Sequence, residues 1–151
     1  YNSKDDNCDG VTDEGWVCGV PDVANDACSS AQYLGYIGDK SKDVLTYIGV
    51  ANIPSDKDWI YFMAVDEPEL LIDTYSVSVS ISSPNDMFVF DVCKFDCGIA
   101  NKVATGVTNY TDDSNTMIDD SKNYYIVIYL RNPNVESHCA AYQLKLSNGT
   151  Q

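Results

Sequence analysis

The stretch Asp5-Asp-Asn-Cys-Asp-Gly-Val-Thr-Asp-Glu14 concentrates the residues best suited to chemistry. Asp5, Asn7 and Asp9 alternate, Gly10 follows where a loop must turn sharply, Val11 offers a backbone carbonyl, and Asp13 takes the ninth place. That is the layout by which a short loop wraps hard oxygen donors around Ca²⁺. The twelfth place, where an EF-hand holds a bidentate Glu, is Trp16, so Glu14 or another part of the chain must complete the shell. Five acids within these ten residues repel one another unless a cation neutralises them, which makes Ca²⁺ the expected cofactor.

The remaining candidates carry less. Asp56 and Asp58 read either as turn caps ahead of a strand or as a second metal site, and Asp112, Asp113, Asp119 and Asp120 read first as solvated loop acids, with a metal-ligand role as the alternative. Catalysis has little support. The single histidine, His138, sits beside Cys139 in the loop after Pro133, and no HExxH, GxSxG or phosphate-cradling glycine loop occurs. The chain is therefore expected not to be an enzyme. Two sequons, Asn109-Tyr-Thr111 and Asn148-Gly-Thr150, fall in an expected loop and in the tail, where a glycan could attach.

Charge narrows the partners. Nine Lys+Arg stand against 23 Asp+Glu, for a net charge of −14, and only Glu14, Glu67, Glu69 and Glu136 among the acids are Glu. Neutralising phosphates needs a basic footprint that this chain lacks, so nucleic acid is excluded as an expected partner. No apolar run approaches the roughly 20 residues that span a bilayer, so membrane insertion is not expected either. The six cysteines Cys8, Cys18, Cys28, Cys93, Cys97 and Cys139 contain no CxxC pair, which reads as a disulfide set from an oxidising compartment. Closeness and strand position favour Cys8 with Cys18, Cys93 with Cys97, and Cys28 with Cys139. A chain that begins at Tyr1 rather than Met is expected to have lost a targeting segment, giving an extracellular, secreted protein that could be attached to a cell surface.

The elements that must position these groups are strands. Residues 1–26 hold seven acids, two cysteines and almost no alternating apolar pattern, and read as a small stapled lobe. From 27 to 151 the pattern has period two, clearest in Tyr75-Ser-Val-Ser-Val-Ser-Ile-Ser82, with further runs at Val44 to Val50, Asp58 to Val65, Met87 to Phe95, Asn123 to Leu130 and Ala140 to Leu146. Clusters such as Ser83-Pro-Asn-Asp86 and Thr111-Asp-Asp-Ser-Asn115 read as the turns between them. Trp59 to Val65 and Tyr124 to Leu130 are apolar on both faces, which predicts central strands. The best helical turn is Ala27 to Tyr33, with Asp26 as N-cap. The fold class that follows is all-β: an antiparallel, jelly-roll-like β-sandwich behind a short calcium-binding, disulfide-stapled N-terminal loop.

Two resemblances extend this reading. Asp5 to Gly15 resembles the DNDCDGxxDE type of Asp-rich calcium motif found in MopE-like repeats and, more loosely, thrombospondin type 3 repeats. This implies Asp5, Asn7, Asp9 and Asp13 as ligands, Val11 as a carbonyl ligand and Cys8 as partner of Cys18. Asn7 stands where Asp is usual, which lowers the ligand charge. Asn25 to Ser147 resembles the bacterial pre-peptidase C-terminal domain, a non-catalytic β-sandwich of secreted proteins. That likeness is carried by Asn25-Asp-Ala-Cys-Ser-Ser-Ala31, Asp56-Lys-Asp-Trp-Ile-Tyr-Phe62, Val89-Phe-Asp-Val-Cys93 and Asn123-Tyr-Tyr-Ile-Val-Ile128. The expected function is a calcium-rigidified structural protein that self-assembles head to tail into a filament or other cell-surface assembly. The alternative is an accessory module of a larger secreted hydrolase that binds a polysaccharide or protein matrix.

Overall fold

The computed structural model describes residues 25–40, 42–51, 55–67, 75–114, 119–132 and 140–149. The expected metal loop Asp5 to Glu14, the Cys8 to Cys18 staple, His138 and Cys139 lie outside these residues.

The alternation of Tyr75, Val77 and Val79 with serines does what period two demands: the apolar set is buried and the serines face outward. Nine described strands form two sheets: β1 (Gln32–Gly38), β2 (Val44–Ala51), β3 (Lys57–Val65), β4 (Tyr75–Ser82), β5 (Phe88–Lys94), β6 (Lys102–Val107), β7 (Asn109–Ser114), β8 (Lys122–Leu130) and β9 (Ala140–Ser147). One sheet runs β1-β3-β8-β5-β6 and the other β2-β9-β4-β7. All pairings are antiparallel except β1 with β3, which are joined through β2 of the opposite sheet. As expected of strands apolar on both faces, β3 and β8 are interior strands, with β8 at the centre of its sheet.

Between the sheets, Phe62, Phe90, Tyr124, Ile126, Leu144 and Leu146 are fully buried, and the Phe62 and Tyr124 rings stack 5.4 Å apart. Burying each such side chain stabilises by about 1.5 to 3 kcal/mol. The sheets are also latched by polar groups. Asn148, just past β9, donates from its amide to the carbonyls of Ile37 (3.1 Å) and Val65 (3.0 Å) on β1 and β3.

Three expectations are corrected. Thr111 to Asn115 was expected to be a turn, yet residues 109–114 form β7, paired in register with β4. The helical turn is only a 3-10 turn at Cys28–Ser30, with Ala27 rather than Asp26 at its N-cap and Ser30 Oγ donating to the Ala27 carbonyl. The disulfide is Cys28 to Cys97, with Cα atoms 6.2 Å apart, in place of Cys28 to Cys139 and Cys93 to Cys97. The reason is geometric. That spacing lies in the range a disulfide bridges, whereas Cys93 sits within β5, paired with Tyr125 and Lys102, and is a buried free thiol at 2% exposure.

Candidate interaction surface

Several acids of the sandwich are engaged by the protein itself. Asp58 on β3 is buried and accepts a hydrogen bond from the Tyr142 hydroxyl of β9. Burial, and then the Asp58 charge, push the Tyr142 phenol far above its ordinary range. Asp56, also buried, lies just ahead of β3. Nearby, Asn25 donates its amide to the Trp59 carbonyl (3.0 Å) and accepts the Trp59 N–H at its own carbonyl (2.9 Å), anchoring the chain before β1.

Asp112 on β7 pairs with Lys94 at 2.8 Å and accepts from the Tyr124 hydroxyl, which in turn receives Tyr75 (2.9 Å). Burial first, then these partners, raise the Tyr124 phenol well above the ordinary value. Asp113 accepts from Ser76 Oγ at 2.6 Å and Asp120 from Ser114 Oγ, while Asp119 accepts the Ser121 N–H at 2.9 Å. Among the described residues, no three Asp, Glu, His or Cys side chains converge in a way that could hold a metal ion.

Asp91 on β5 gathers three donors. It accepts from Lys102 Nζ (2.6 Å), Tyr129 Oη (2.7 Å) and the Gly106 N–H (2.9 Å). Burial alone would raise its carboxyl, but these three donors and the Lys102 charge hold it below the usual carboxylate value, and burial with Asp91 pushes Tyr129 up to about 12. The sign follows. A carboxyl lowered in the folded state contributes stability that is present above its unfolded value near 4 and lost as pH falls through that range. Urea midpoints for wild type should therefore drop more between about pH 5 and about pH 3 than those of Asp91→Asn. Equal drops would show that this cluster contributes nothing to acid sensitivity.

The outward face of the five-stranded sheet carries a row that the sequence did not reveal. Tyr33, Tyr61 and Tyr125 are register partners across β1, β3 and β8. Their ring centroids are 4.8 and 5.0 Å apart, the second pair within 14° of parallel. Neighbouring strands hold such rings face to face, so both faces of Tyr61 are covered by its neighbours. A sugar that stacks needs an open face, and the middle of this row has none to give.

Large exposed hydrophobic side chains among the described residues fall in two groups. Tyr33 and Tyr36 on β1, Val44 and Ile48 on β2, and Met63 on β3 lie at one lateral side, with Tyr36 at 72% exposure. Phe95, Ile99 and Val103 lie at the β5 to β6 connection and on β6, the opposite side of the sheet, with Ile99 at 90%. The sequons also separate. Asn109 is exposed at the start of β7, whereas Asn148 is fully buried with its amide nitrogen already shared between two carbonyls, so the expectation of an accessible glycan site there is corrected.

Three solved structures are similar to this chain. The pre-peptidase C-terminal domain of a collagenase from Bacillus anthracis aligns at 14% identity over 78% of this chain and 95% of its own, with a TM-score of 0.40. PliG of Salmonella Typhimurium, a periplasmic inhibitor of g-type lysozyme, aligns at 21% identity over 78% and 98%, with a TM-score of 0.44. PliG of Aeromonas hydrophila aligns at 13% identity over 78% and 98%, with a TM-score of 0.39. The likeness is one of fold alone. No family model and no curated protein matches the chain.

Proposed function

We propose that this chain is a non-catalytic structural domain of the extracellular space, which binds calcium at its N-terminus and assembles with copies of itself head to tail into a filament or another cell-surface assembly. The observation that carries the reading is the placement of exposed apolar side chains in two groups, one on β1, β2 and β3 along one lateral side of the sandwich and the other at the β5 to β6 connection and on β6, at the far edge of the five-stranded sheet. Contacts between unlike surfaces build open filaments when the rotation does not close, and two unlike apolar sides suit such contacts. Asp5, Asn7, Asp9, Asp13 and Glu14, with the Val11 carbonyl, supply the hard oxygen donors that Ca²⁺ prefers. A neighbouring copy completes that shell in place of the missing twelfth-position Glu. The disulfide supports an oxidising location. The covered faces of Tyr61 weigh against the polysaccharide-binding alternative.

The test is particle size with and without calcium. In Ca²⁺ buffer the protein should elute as large species or be visible as filaments, and a chelator should return it to monomer. A monodisperse monomer in Ca²⁺, or particles indifferent to chelation, would sink the reading.

A further inference from the structure

We infer that copies of this chain join edge to edge through their four-stranded sheets, β7 of one copy pairing antiparallel with β2 of the next. The inference rests on the self-assembly reading above and gives it an interface.

Three observations single out these strands. First, β2 and β7 are the two outer strands of the four-stranded sheet, with no second neighbour in that sheet among the described residues. Second, both are regular. Val44 to Ala51 pair one for one with β9, and Asn109 to Ser114 pair one for one with β4. The outer strands of the other sheet are broken by register shifts, β1 between Tyr33 and Tyr36 and β6 at two places along its pairing with β5. Bulges of this kind are how proteins blunt an edge against pairing, and β2 and β7 lack them.

Third, polarity and charge agree. Successive antiparallel pairings from β2 through β9 and β4 leave β7 antiparallel to β2. A copy shifted sideways by one sheet width, without turning over, therefore meets its neighbour in the antiparallel sense. Val44, Ser147, Ser78 and Thr111 form one row across the sheet. Continuing that row without stagger sets Thr111 against Val44 of the next copy. The same register sets Asn109 against Thr46 and, on the outer face, Asp113 against Lys42, a pairing of opposite charges in which both residues are exposed; on the inner face it sets Asp112, whose charge is already matched by Lys94, against Asp43. The contact joins unlike edges, so each copy keeps one edge of each kind and the chain of sheets stays open-ended.

The test is a charge swap read by sedimentation and electron microscopy in Ca²⁺ buffer. Asp113→Lys and Lys42→Asp should each lower the assembled fraction at least tenfold, and the double variant should restore it, while the melting temperatures of the variants stay within a few degrees of wild type because both sites are exposed. As a second probe, Thr46→Pro, which puts a ring and no N–H on the β2 edge, should abolish assembly, whereas Thr105→Ser on the bulged β6 edge should leave it at wild-type level. Wild type that assembles while the swap variants and Thr46→Pro assemble equally well would overturn this interface and leave self-assembly standing. Wild type that stays monomeric would overturn self-assembly and the interface with it.

Discussion

Cys28→Ser/Cys97→Ser, which removes the bridge between these two residues, should lose about 4 kcal/mol of folding stability at 25 °C. The bridge closes a segment of 69 residues, and in the chain-entropy account a loop of that size restricts the unfolded ensemble by about that amount. Urea denaturation of wild type and the double variant measures the difference, and a loss under about 1 kcal/mol would show that the unfolded chain is constrained in some other way. Peptide mapping without reductant gives an independent reading of the same feature. It should recover the Cys28 and Cys97 peptides joined, and Cys93 should react with an alkylating agent only after denaturant is added, because its thiol is 2% exposed within β5. Burial also raises the Cys93 thiol pKa, which further slows its reaction. Recovery of Cys93 joined to Cys97 would contradict the fold at its centre.

Gly149→Ala should cost about 3 kcal/mol or more, a large effect for one methyl group. Gly149 has φ of +85°, where side chains are disfavoured, and an added Cβ would lie 1.8 Å from the Asp39 carbonyl oxygen, a backbone atom that cannot swing aside. Its neighbour contributes comparably. Asn148 bridges β1 and β3, and its own Oδ1 accepts the Gly149 N–H at 3.0 Å; the Val65 carbonyl also accepts the Asp39 N–H and the Gly149 N–H also donates to the Ser76 carbonyl, so Asn148→Ala removes three hydrogen bonds without stranding those two groups, at about 1 to 3 kcal/mol in all. Asn148→Asp should be worse than alanine, because a carboxylate of the same shape faces two carbonyl oxygens with nothing to donate. Thermal melts of the three variants settle the order. An aspartate variant as stable as wild type would mean that the latch is held elsewhere.

The strands that were legible in the sequence share a cause. β4 alternates because one face meets the core and the other meets water, and β3 and β8 carry apolar side chains on both faces because one face fills the core while the other bears the Tyr61 and Tyr125 rings and stays open at Met63. The strands that escaped notice are outer ones. In β6, exposed residues fall on both faces, so no period survives. In β7, the sequence Asn-Tyr-Thr-Asp-Asp-Ser reads as a turn until Asp112 finds Lys94 and Tyr124 and Asp113 finds Ser76, all supplied by other strands. β1 is hidden by the shift at Tyr33 and Tyr36, with Gly35 at φ of +119°. The tyrosine row failed to show for a related reason: composition reveals eleven tyrosines but not which three share a register. The disulfide was misread because nearness along the chain stood in for nearness in space, and Cys97 lies past the end of β5 while Cys93 is fixed within it.

The Cys28 to Cys97 bridge also decides how the domain carries tension. A pull entering the chain ahead of Cys28 passes through the sulfur atoms straight to Cys97 and bypasses the segment that holds β1 to β5. Those strands stay slack while the remainder is stretched, and roughly 240 Å of contour length, from 69 residues at about 3.5 Å each, is withheld from extension. In a subunit loaded through its ends, the bridge acts as a strain limiter: even when β8 and β9 are pulled away from the strands they pair with, the stretch between the two cysteines stays closed and adds nothing to the extension.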